Sequence, residues 1–535
     1  MGTKVLVTEE IAPSGLDILR QAGHNVDFRP GIDHRELIEA VCDAAALIVR
    51  SGTQVTADVI EAAPALRVIG RAGIGVDNID VEAATRRGIV VVNAPQSNTL
   101  SAAEHTMALM LALCRRIPEA DRSMHAGEWK RSAFVGIELA DKTLGIVGLG
   151  RIGTLVAQRA LAFGMRLIAY DPYVSQERAR QMSVELVSLE ELCERADVIT
   201  VHLPKTKETV GLINKERIAS MKPSVRIVNT ARGEIVDEEA LASALYEGRI
   251  AGAAVDVYSR EPPPPDHPLL GAPNTVLTPH LGATTAEAQD KAGKAVAEQV
   301  VAVLRGELVP FAVNVEVGRE IPELVRAFLP LAEILGSFYT ALAGGLTERV
   351  DVALIGQLAE VDDRLISVAV LKGMFSAISE EPVSYVNAPL IAKDKGIEVR
   401  RSSSAASEDF VSLIRVSGTG SAGSISVAGT LVGPRQAPRI VEIGEHSIDL
   451  PPSRYMLIIH NQDKPGVIGR VGTVLGNAGI NISNMAVGRD PGGAHALMGL
   501  NLDSPPSGET LEELRRADGI VDVTLLILES APEVI

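Results

Sequence analysis

The sequence is poor in cysteine, and it lacks an excess of basic charge. Three cysteines occur in 535 residues, at Cys42, Cys114 and Cys193, and their spacing matches neither a disulfide framework nor a metal site. Acidic residues outnumber basic residues by 68 to 51, which gives a formal net charge of −17. Because nucleic acids and membrane surfaces attract basic proteins, we expect neither as a partner. The cysteine usage favours a reducing compartment and no bound metal.

The sequence also shows no long apolar run and no signal-peptide pattern. The longest apolar run that we identify, Thr106–Cys114, is far shorter than the roughly 20 residues that span a bilayer. The N-terminal stretch 1–8 lacks signal-peptide features and is typical of a first strand. These observations predict a cytoplasmic protein, and the length predicts about three to four domains.

Short apolar segments alternate with helix-like segments through the first half of the chain. Strands are predicted at 5–7, 46–49, 68–70, 89–92, 144–147, 166–169, 198–201, 225–228, 252–255 and 275–278. Such continuous apolar strands indicate parallel sheets covered on both faces, so an α/β fold with two doubly wound lobes is predicted. Long helices are expected over 101–116, where Ser101 and Glu104 form a capping-box pattern, and over 284–304.

The strand pattern changes after Asn314. Apolar and polar residues alternate around 350–354 and 425–431, which indicates an α+β domain whose sheet has one solvated face. Beyond Pro451 and Pro452, strands at 455–459, 481–487, 496–502 and 521–528 enclose helices at 466–478 and 510–516. This βαββαβ order predicts a ferredoxin-like domain.

A glycine-rich turn between a strand and a helix forms a dinucleotide-binding pattern. The turn comprises Gly148, Gly150, Arg151, Ile152 and Gly153. Glycines at this spacing allow backbone N–H groups to approach a pyrophosphate. Asp171 ends the next strand, where a carboxylate binds a ribose hydroxyl and repels a 2′-phosphate. The pattern therefore predicts NAD as the cofactor.

Three later segments follow strands and carry side chains suited to hydride transfer. Oxidation of a 2-hydroxy acid needs a cation for the carboxylate and a group that exchanges a proton near neutral pH. Arg232 suits the first role and His280 the second, with Glu261 orienting the ring and favouring its protonated form. Spacing alone leaves open that each is an ordinary solvated loop residue.

Taken together, 148–153, 229–233, Glu261-Pro262 and Pro279-His280 resemble the D-isomer-specific 2-hydroxyacid dehydrogenases. The resemblance implies that Arg232, Glu261 and His280 are catalytic. It adds as cofactor contacts Thr230, Ala231, Asp256, Gly282 and Ala283. It also implies Rossmann-like lobes divided into a substrate lobe (1–93 and 284–313), an NAD-binding domain (94–283), an intervening domain (314–452) and an ACT domain (453–535).

The long branch of that family oxidises D-3-phosphoglycerate, and the likeness to it implies a substrate site. Arg50, Arg71 and Asn98 are expected to contact the substrate, while Lys130 and Arg131 are expected to reach the phosphate of a substrate bound in a neighbouring subunit. One departure is Ile74, where many relatives carry threonine, and this puts a hydrogen bond to the cofactor in question.

The C-terminal motif implies regulation. By resemblance to ACT domains, Asn461, Asp463 and Asn481 bind L-serine between paired domains of a homo-oligomer, expected to be a tetramer. A dimerisation module without a ligand remains the alternative. In the intervening domain, Arg435 and Arg439 are either anion contacts or solvated loop residues.

Two other functions stay open from sequence. One is a general glyoxylate or hydroxypyruvate reductase, against which the basic residues Arg50, Lys130 and Arg131 argue. The other is an NAD-sensing scaffold of the corepressor type, which can retain all three catalytic residues. The ACT-like C-terminal region argues against the scaffold.

Overall fold

The first lobe is a parallel sheet whose helices cover both faces. The computed structural model describes residues 2–315, 321–379, 383–407, 409–420, 423–489, 494–528 and 531. The first elements are β1 (Lys4–Val7), α1 (Pro13–Gln21), β2 (Asn25–Phe28), α2 (His34–Val41), β3 (Ala46–Val49), α3 (Ala57–Glu61), β4 (Val68–Arg71), α4 (Val81–Arg86) and β5 (Val90–Asn93). The sheet order is β2-β1-β3-β4-β5, and strand β2 was missed by the sequence analysis.

Two helices then lead to the second lobe. They are α5 (Thr99–Arg115) and α6 (Ile117–His125), followed by a 3-10 turn at Arg131–Phe134. The prediction that Ser101 caps the first helix was wrong. The helix begins two residues earlier, with Asn98 at its N-cap, and the Ser101 hydroxyl instead lies 2.8 Å from Thr285 Oγ1.

The second lobe is a larger parallel sheet. Its elements are β6 (Thr143–Val147), α7 (Arg151–Ala162), β7 (Arg166–Tyr170), α8 (Gln176–Gln181), β8 (Glu185–Leu186), α9 (Leu189–Arg195), β9 (Val198–Val201), α10 (Lys215–Ser220), β10 (Arg226–Asn229), α11 (Glu238–Tyr246), β11 (Gly252–Val255) and β12 (Thr275–Leu277). The order β12-β11-β10-β9-β6-β7-β8 is doubly wound about β6, so the fold class is confirmed. The short strand β8 was not predicted.

The chain then returns to the first lobe. Helix α12 (Ala286–Leu304) is capped by Thr285, whose hydroxyl accepts the N–H of Ala288 at 3.2 Å. The buried residues Val296 and Val300 of this helix share one hydrophobic core with Val5, Ile48 and Val68 of the first sheet. The first lobe is therefore completed by a helix that lies far along the chain.

The C-terminal half contains two further sheets. The first region comprises α13 (Glu323–Ala343), β13 (Arg349–Gly356), α14 (Arg364–Ser376), α15 (Ala388–Asp394), β14 (Glu398–Ser404), β15 (Ser412–Gly420), β16 (Gly423–Val432), β17 (Ala437–Ile443) and β18 (His446–Leu450), with sheet order β14-β13-β15-β16-β17-β18. The second comprises β19 (Tyr455–Gln462), α16 (Val467–Asn477), β20 (Ile482–Arg489), β21 (His495–Leu502), α17 (Gly508–Arg516) and β22 (Ile520–Ile527). Its antiparallel order β20-β21-β19-β22 confirms the ferredoxin-like prediction.

Helix α13 is the core helix of the C-terminal half. Among the described helices it alone is long and apolar enough to cross a membrane, and 67% of its apolar window is buried inside the protein. Phe338 and Tyr339 of this helix are fully buried and share a core with Leu450 on one side of Pro451 and with Met456 and Leu526 on the other. The two C-terminal sheets therefore pack as one hydrophobic unit.

Candidate active site

The glycine-rich turn lies between β6 and α7. Gly148 has φ 98°, and a Cβ at Gly153 would collide with the carbonyl oxygen of Gly148, so both positions need glycine for the turn itself. Gly150, the N-cap of α7, differs because a Cβ there would meet nothing within 4 Å. The helix N-terminus is thus open at Gly150, with its first N–H groups available to a pyrophosphate. Arg151 and Ile152 form the first turn of this helix, with Arg151 Nη1 3.4 Å from the carbonyl oxygen of Pro95.

Asp171 lies beside this turn, as its place after β7 predicts. Its Oδ2 accepts the N–H of Leu149 at 2.8 Å, and its Oδ1 accepts the N–H of Tyr173 at 2.9 Å. The carboxylate is half-buried and adjacent to the open helix end. This donor and acceptor arrangement fits the pyrophosphate and ribose of NAD.

Arg232 follows β10 on a turn that Asn229 fixes. The buried Asn229 side chain accepts the N–H of Ala231 at 3.1 Å and donates to the carbonyl oxygen of Arg232 at 2.9 Å. Arg232 Nε lies 3.3 Å from Asp77 Oδ2 in the first lobe. The guanidinium therefore reaches across the cleft between the lobes. On the same turn, the Thr230 hydroxyl lies 2.8 Å from Thr106 Oγ1 of helix α5.

His280 and Glu261 form the expected pair. His280 Nδ1 lies 2.7 Å from Glu261 Oε2, and Glu261 Oε1 accepts the N–H of Tyr258 at 3.0 Å. Burial acts to raise the pKa of Glu261, but the hydrogen bonds from His280 and Tyr258 outweigh it and hold this pKa below its ordinary value. With Nδ1 engaged, Nε2 is the ring nitrogen left to face a substrate, and the side chain is 39% exposed.

The turn that carries His280 is organised by Asp256. This carboxylate is fully buried and accepts the Thr278 hydroxyl at 2.6 Å, the N–H of Leu281 at 2.8 Å and the N–H of Gly282 at 3.0 Å. Burial acts to raise the pKa of Asp256, but hydrogen bonds from His105, Thr278 and the Leu281 N–H lower it. The carboxylate thus binds the chain's own donors, and a direct contact of Asp256 with the cofactor stays a prediction. Ala283, next along the turn, is half-buried.

The Arg232 and Glu261 turns are in direct contact. A Cβ at Gly233 would collide with the backbone of Tyr258 and Ser259, so this close approach requires glycine. Glu238 accepts the N–H of Ser259 at 2.8 Å, and His267 Nε2 lies 3.2 Å from the same carboxylate. These contacts hold Arg232 side by side with Glu261, the partner of His280.

Three arginines converge from the two lobes. Burial lowers the pKa of Arg71 to about 10, assisted by the charges of Arg232 and Arg50 and opposed by Asp77 and Glu9. Arg71 Nε is buried and has no hydrogen-bond partner among the described residues. A buried donor without a partner beside other cations indicates a site built to receive an anion.

Glu9 organises the segment that carries Arg50. Its carboxylate accepts the backbone N–H groups of Arg50 at 2.8 Å, Thr53 at 2.9 Å and Gly52 at 3.1 Å. Arg50 Nη1 lies 3.3 Å from the carbonyl oxygen of Glu10. The carboxylate therefore orders a loop and does not cancel the charge of a guanidinium by direct pairing.

Asn98 and Ile74 border the same region. The side-chain oxygen of Asn98 is buried and has no partner in the described part of the chain, although the residue occupies a helix N-cap. Asn93 Nδ2 donates to the carbonyl oxygen of Ile74 at 2.6 Å, so the loop holding Arg71 is anchored through its backbone. The loop therefore stays anchored although the Ile74 side chain has no hydroxyl group.

The structure does not bring Lys130 and Arg131 to the arginine cluster. Both are exposed near the 3-10 turn, and Lys130 pairs with Glu128 at 2.7 Å. The neighbouring Trp129 is 79% exposed. Any contact of these residues with the phosphate of a substrate bound in a neighbouring subunit stays a prediction.

Asn461 and Asp463 lie at one end of the last sheet, but Asn481 lies at the opposite end, because it precedes β20 beside Leu502, whose partner on β19 is Tyr455. Asn461 is 4% exposed, and its side-chain oxygen lacks a partner among the described residues. Asp463 pairs with Arg489 at 3.0 Å, and the exposed Asn481 donates to Asp503 at 2.9 Å. Only Asn461 thus presents a buried polar atom that a ligand would satisfy.

Several residues that shape the site were not predicted as site residues from the sequence. Asp77, His105, Thr106, Asn229 and Glu238 hold the catalytic turns through side-chain contacts. Asn229 directly precedes the Arg232 turn in the motif, which was a usable signal. The others join segments far apart in sequence, and no local pattern marks them.

Comparison with known proteins places each region in a family. The family model for the D-isomer specific 2-hydroxyacid dehydrogenase, NAD binding domain, matches residues 107–282. Those for the D-3-phosphoglycerate dehydrogenase intervening domain and the ACT domain match residues 324–444 and 455–519.

Curated relatives match nearly the whole chain. A D-3-phosphoglycerate dehydrogenase from Archaeoglobus fulgidus is 46% identical over 529 residues, covering 98% of this chain and 100% of the relative. One from Mycobacterium tuberculosis is 48% identical over 502 residues, covering 93% and 94%. A crystal structure of D-lactate dehydrogenase from Aquifex aeolicus with NAD and lactic acid matches with a TM-score of 0.51 at 30% identity, covering 57% of this chain and 96% of that one.

Proposed function

Because this chain belongs to the D-3-phosphoglycerate dehydrogenase family, we propose that it oxidises D-3-phosphoglycerate to 3-phosphohydroxypyruvate in the first step of L-serine synthesis. The chain is an NAD-dependent oxidoreductase. The observation that carries the substrate assignment is the convergence of Arg50, Arg71 and Arg232 beside the His280–Glu261 pair. A substrate with a carboxylate and a phosphate needs such a concentration of cations in a protein of charge −17.

The cofactor is proposed to lie along the carboxyl end of the second sheet. The open helix end at Gly150 binds the pyrophosphate and Asp171 the ribose, while the turns at 230–231, 256 and 282–283 face the reacting ring. When bound, NAD supplies the acceptor for the hydride that leaves C2 of the substrate.

The chain's own residues bind the substrate and move one proton. Arg232 holds the substrate carboxylate and polarises the C2 oxygen. His280 Nε2 takes the proton of the C2 hydroxyl, and Glu261 stabilises the resulting imidazolium through Nδ1. Arg71, Arg50 and Asn98 bind the remaining polar groups of the substrate. Lys130 and Arg131 are proposed to bind the phosphate of a substrate held in a neighbouring subunit.

Regulation by L-serine is proposed for the ACT domain. The partnerless side-chain oxygen of Asn461 supports a ligand there, and Asp463 supplies a carboxylate at the same end of the sheet. Asn481 lies at the opposite end and is proposed to contribute its amide from the paired domain. We further propose a cytoplasmic homotetramer with domains 1–93 plus 284–313, 94–283, 314–452 and 453–535. Titration with L-serine, with D-serine as the control, tests the effector.

Initial rates of NADH oxidation test the substrate assignment. We expect a strong preference for 3-phosphohydroxypyruvate over glyoxylate and hydroxypyruvate, because only the phosphorylated acid uses the whole arginine cluster. Equal rates with the unphosphorylated acids would contradict the assignment and favour a general reductase. No turnover of any of the three would favour an NAD-sensing scaffold.

A further inference from the structure

Helix α5 contacts the turns that carry both Arg232 and His280, although it contains neither residue. His105 Nε2 lies 3.1 Å from Asp256 Oδ1 and 3.3 Å from Thr278 Oγ1. The next residue, Thr106, places its hydroxyl 2.8 Å from Thr230 Oγ1. Two adjacent side chains of one helix therefore bind the segments that follow β10, β11 and β12.

The contact with Asp256 leads directly to the backbone of His280. The carbonyl oxygen of Asp256 accepts the N–H of His280 at 2.8 Å, and its carboxylate accepts the two N–H groups that follow. His280 has φ 54°, a conformation that residues with a side chain seldom adopt. The bonds around Asp256 must therefore hold this conformation against its intrinsic cost.

The other turn is held in the same way. The Thr106 hydroxyl donates to the carbonyl oxygen of Ala102 at 2.8 Å, which leaves a lone pair to accept the Thr230 hydroxyl. Thr230 lies two residues before Arg232. The separation between the cation and the proton-accepting ring is thus set by two neighbouring positions on α5.

We propose that His105 is a positioning residue: through Asp256 it fixes the turn that presents His280, in register with the Arg232 turn that Thr106 holds. Among the described residues His105 forms no hydrogen bond or ion pair with His280, Glu261 or Arg232, and its side-chain partners are Asp256 and Thr278. The inference rests on the proposed roles of His280 and Arg232. A misplacement of about 1 Å at such a site costs roughly 10²-fold in rate.

Three substitutions of one side chain test the proposal. His105→Leu removes the donor, His105→Gln places an amide N–H near the position of Nε2, and His105→Asn places it one bond short. We expect kcat to fall about 10²-fold for Leu and Asn and to remain within a few-fold for Gln. KM for both substrates should change little. Glu104→Gln, on the exposed side of the same turn, serves as the control and should keep the wild-type rate.

A double-mutant cycle separates positioning from general damage to the fold. In a His280→Asn background, His105→Leu should cost nothing further, because its effect passes through the missing ring. The isotope effect with substrate deuterated at C2 should rise in His105→Leu as hydride transfer becomes rate-limiting.

Two results would overturn the proposal. One is an equal loss from His105→Leu with and without His280, and the other is failure of His105→Gln to recover more rate than His105→Asn. If His105→Leu does not fold, the rates of His105→Gln and His105→Asn are compared with each other and test the same proposal. Full activity in His280→Asn alone would instead overturn the proposed function.

Discussion

At the scale of single residues, Arg71 is expected to favour substrate binding at a cost in folding stability. Its guanidinium is partly buried and feels the charges of two other arginines, and its Nε is buried with no partner among the described residues. Replacing a buried, incompletely paired charge by an apolar side chain is often neutral or stabilising. We predict that Arg71→Met keeps or raises the melting temperature of the unliganded protein while raising KM for 3-phosphohydroxypyruvate by about 10²-fold or more.

Thermal unfolding and steady-state kinetics on one preparation measure both effects. Arg87→Met, at an exposed arginine of the same lobe, is the control and should change neither quantity. A lower melting temperature in Arg71→Met without a change in KM would show that Arg71 is structural.

Glu261 yields a prediction about pH. Burial acts to raise its pKa, but the bonds from His280 and Tyr258 hold it below the ordinary 4.5. A carboxyl whose pKa is lowered on folding stabilises the fold above its unfolded pKa and loses that contribution as pH falls through the folded value. We predict that Glu261→Gln lowers kcat by about 10²-fold and costs unfolding free energy at neutral pH but progressively less below about pH 4.

Urea unfolding of both proteins across this pH range measures the difference. Glu287→Gln, at an exposed position on α12, is the control. A difference that stays constant down to about pH 3 would show that the carboxylate charge is not responsible.

At the scale of elements, the turn between β6 and α7 predicts opposite outcomes for two glycines. A Cβ at Gly153 meets the backbone of Gly148, whereas one at Gly150 meets open space and leaves an ordinary φ of −72°. We predict that Gly150→Ala folds with wild-type stability and raises KM for NAD about tenfold, by filling the space for the pyrophosphate. Gly153→Ala should instead lower the melting temperature. Equal stability in both variants would contradict this division.

The helices and strands themselves were predicted from sequence to different extents. The strands that were predicted in the first two sheets carry a local run of apolar residues. Strands β14, β15, β17 and β18 of the C-terminal half were not predicted. Strand β2, with half its residues partly buried, and the two-residue β8 carry too little apolar signal to be recognised. Ser101 mimics a capping box, but the helix begins two residues earlier, and the Ser101 hydroxyl bonds Thr285 instead of capping the helix. Side-chain pairs such as His105 with Asp256 arise only when the chain folds.

At the scale of the whole molecule, two histidine rings meet where the two C-terminal sheets are in contact. The ring of His460 in β19 lies 6.0 Å from that of His446 in β18. Burial lowers the pKa of His460, with a further contribution from His446, while Asp522 opposes it. The unfolded chain therefore binds this proton more readily than the folded protein, so stability is present above the ordinary value of 6.5 and is lost as pH falls below it.

We predict that the melting temperature of the C-terminal half falls between about pH 7.5 and about pH 5.5, and that His460→Gln reduces this fall. Differential scanning calorimetry at the two pH values measures it. His125→Gln, at a side chain that is 83% exposed, is the control and should leave the fall unchanged.

The return of α12 to the first lobe has a consequence for protein synthesis. The sheet of residues 4–93 leaves the ribosome without the helix at 286–304 that covers it. The roughly 200 residues between them take on the order of 10–40 s to translate at about 5–20 residues per second. During that interval α1, whose Leu16 and Leu19 share this core, is available to cover Val5, Ile48 and Val68, but α12 is not. The nascent first lobe is thus incompletely covered until α12 is made, and a circular permutant that joins α12 to β1 would shorten this interval.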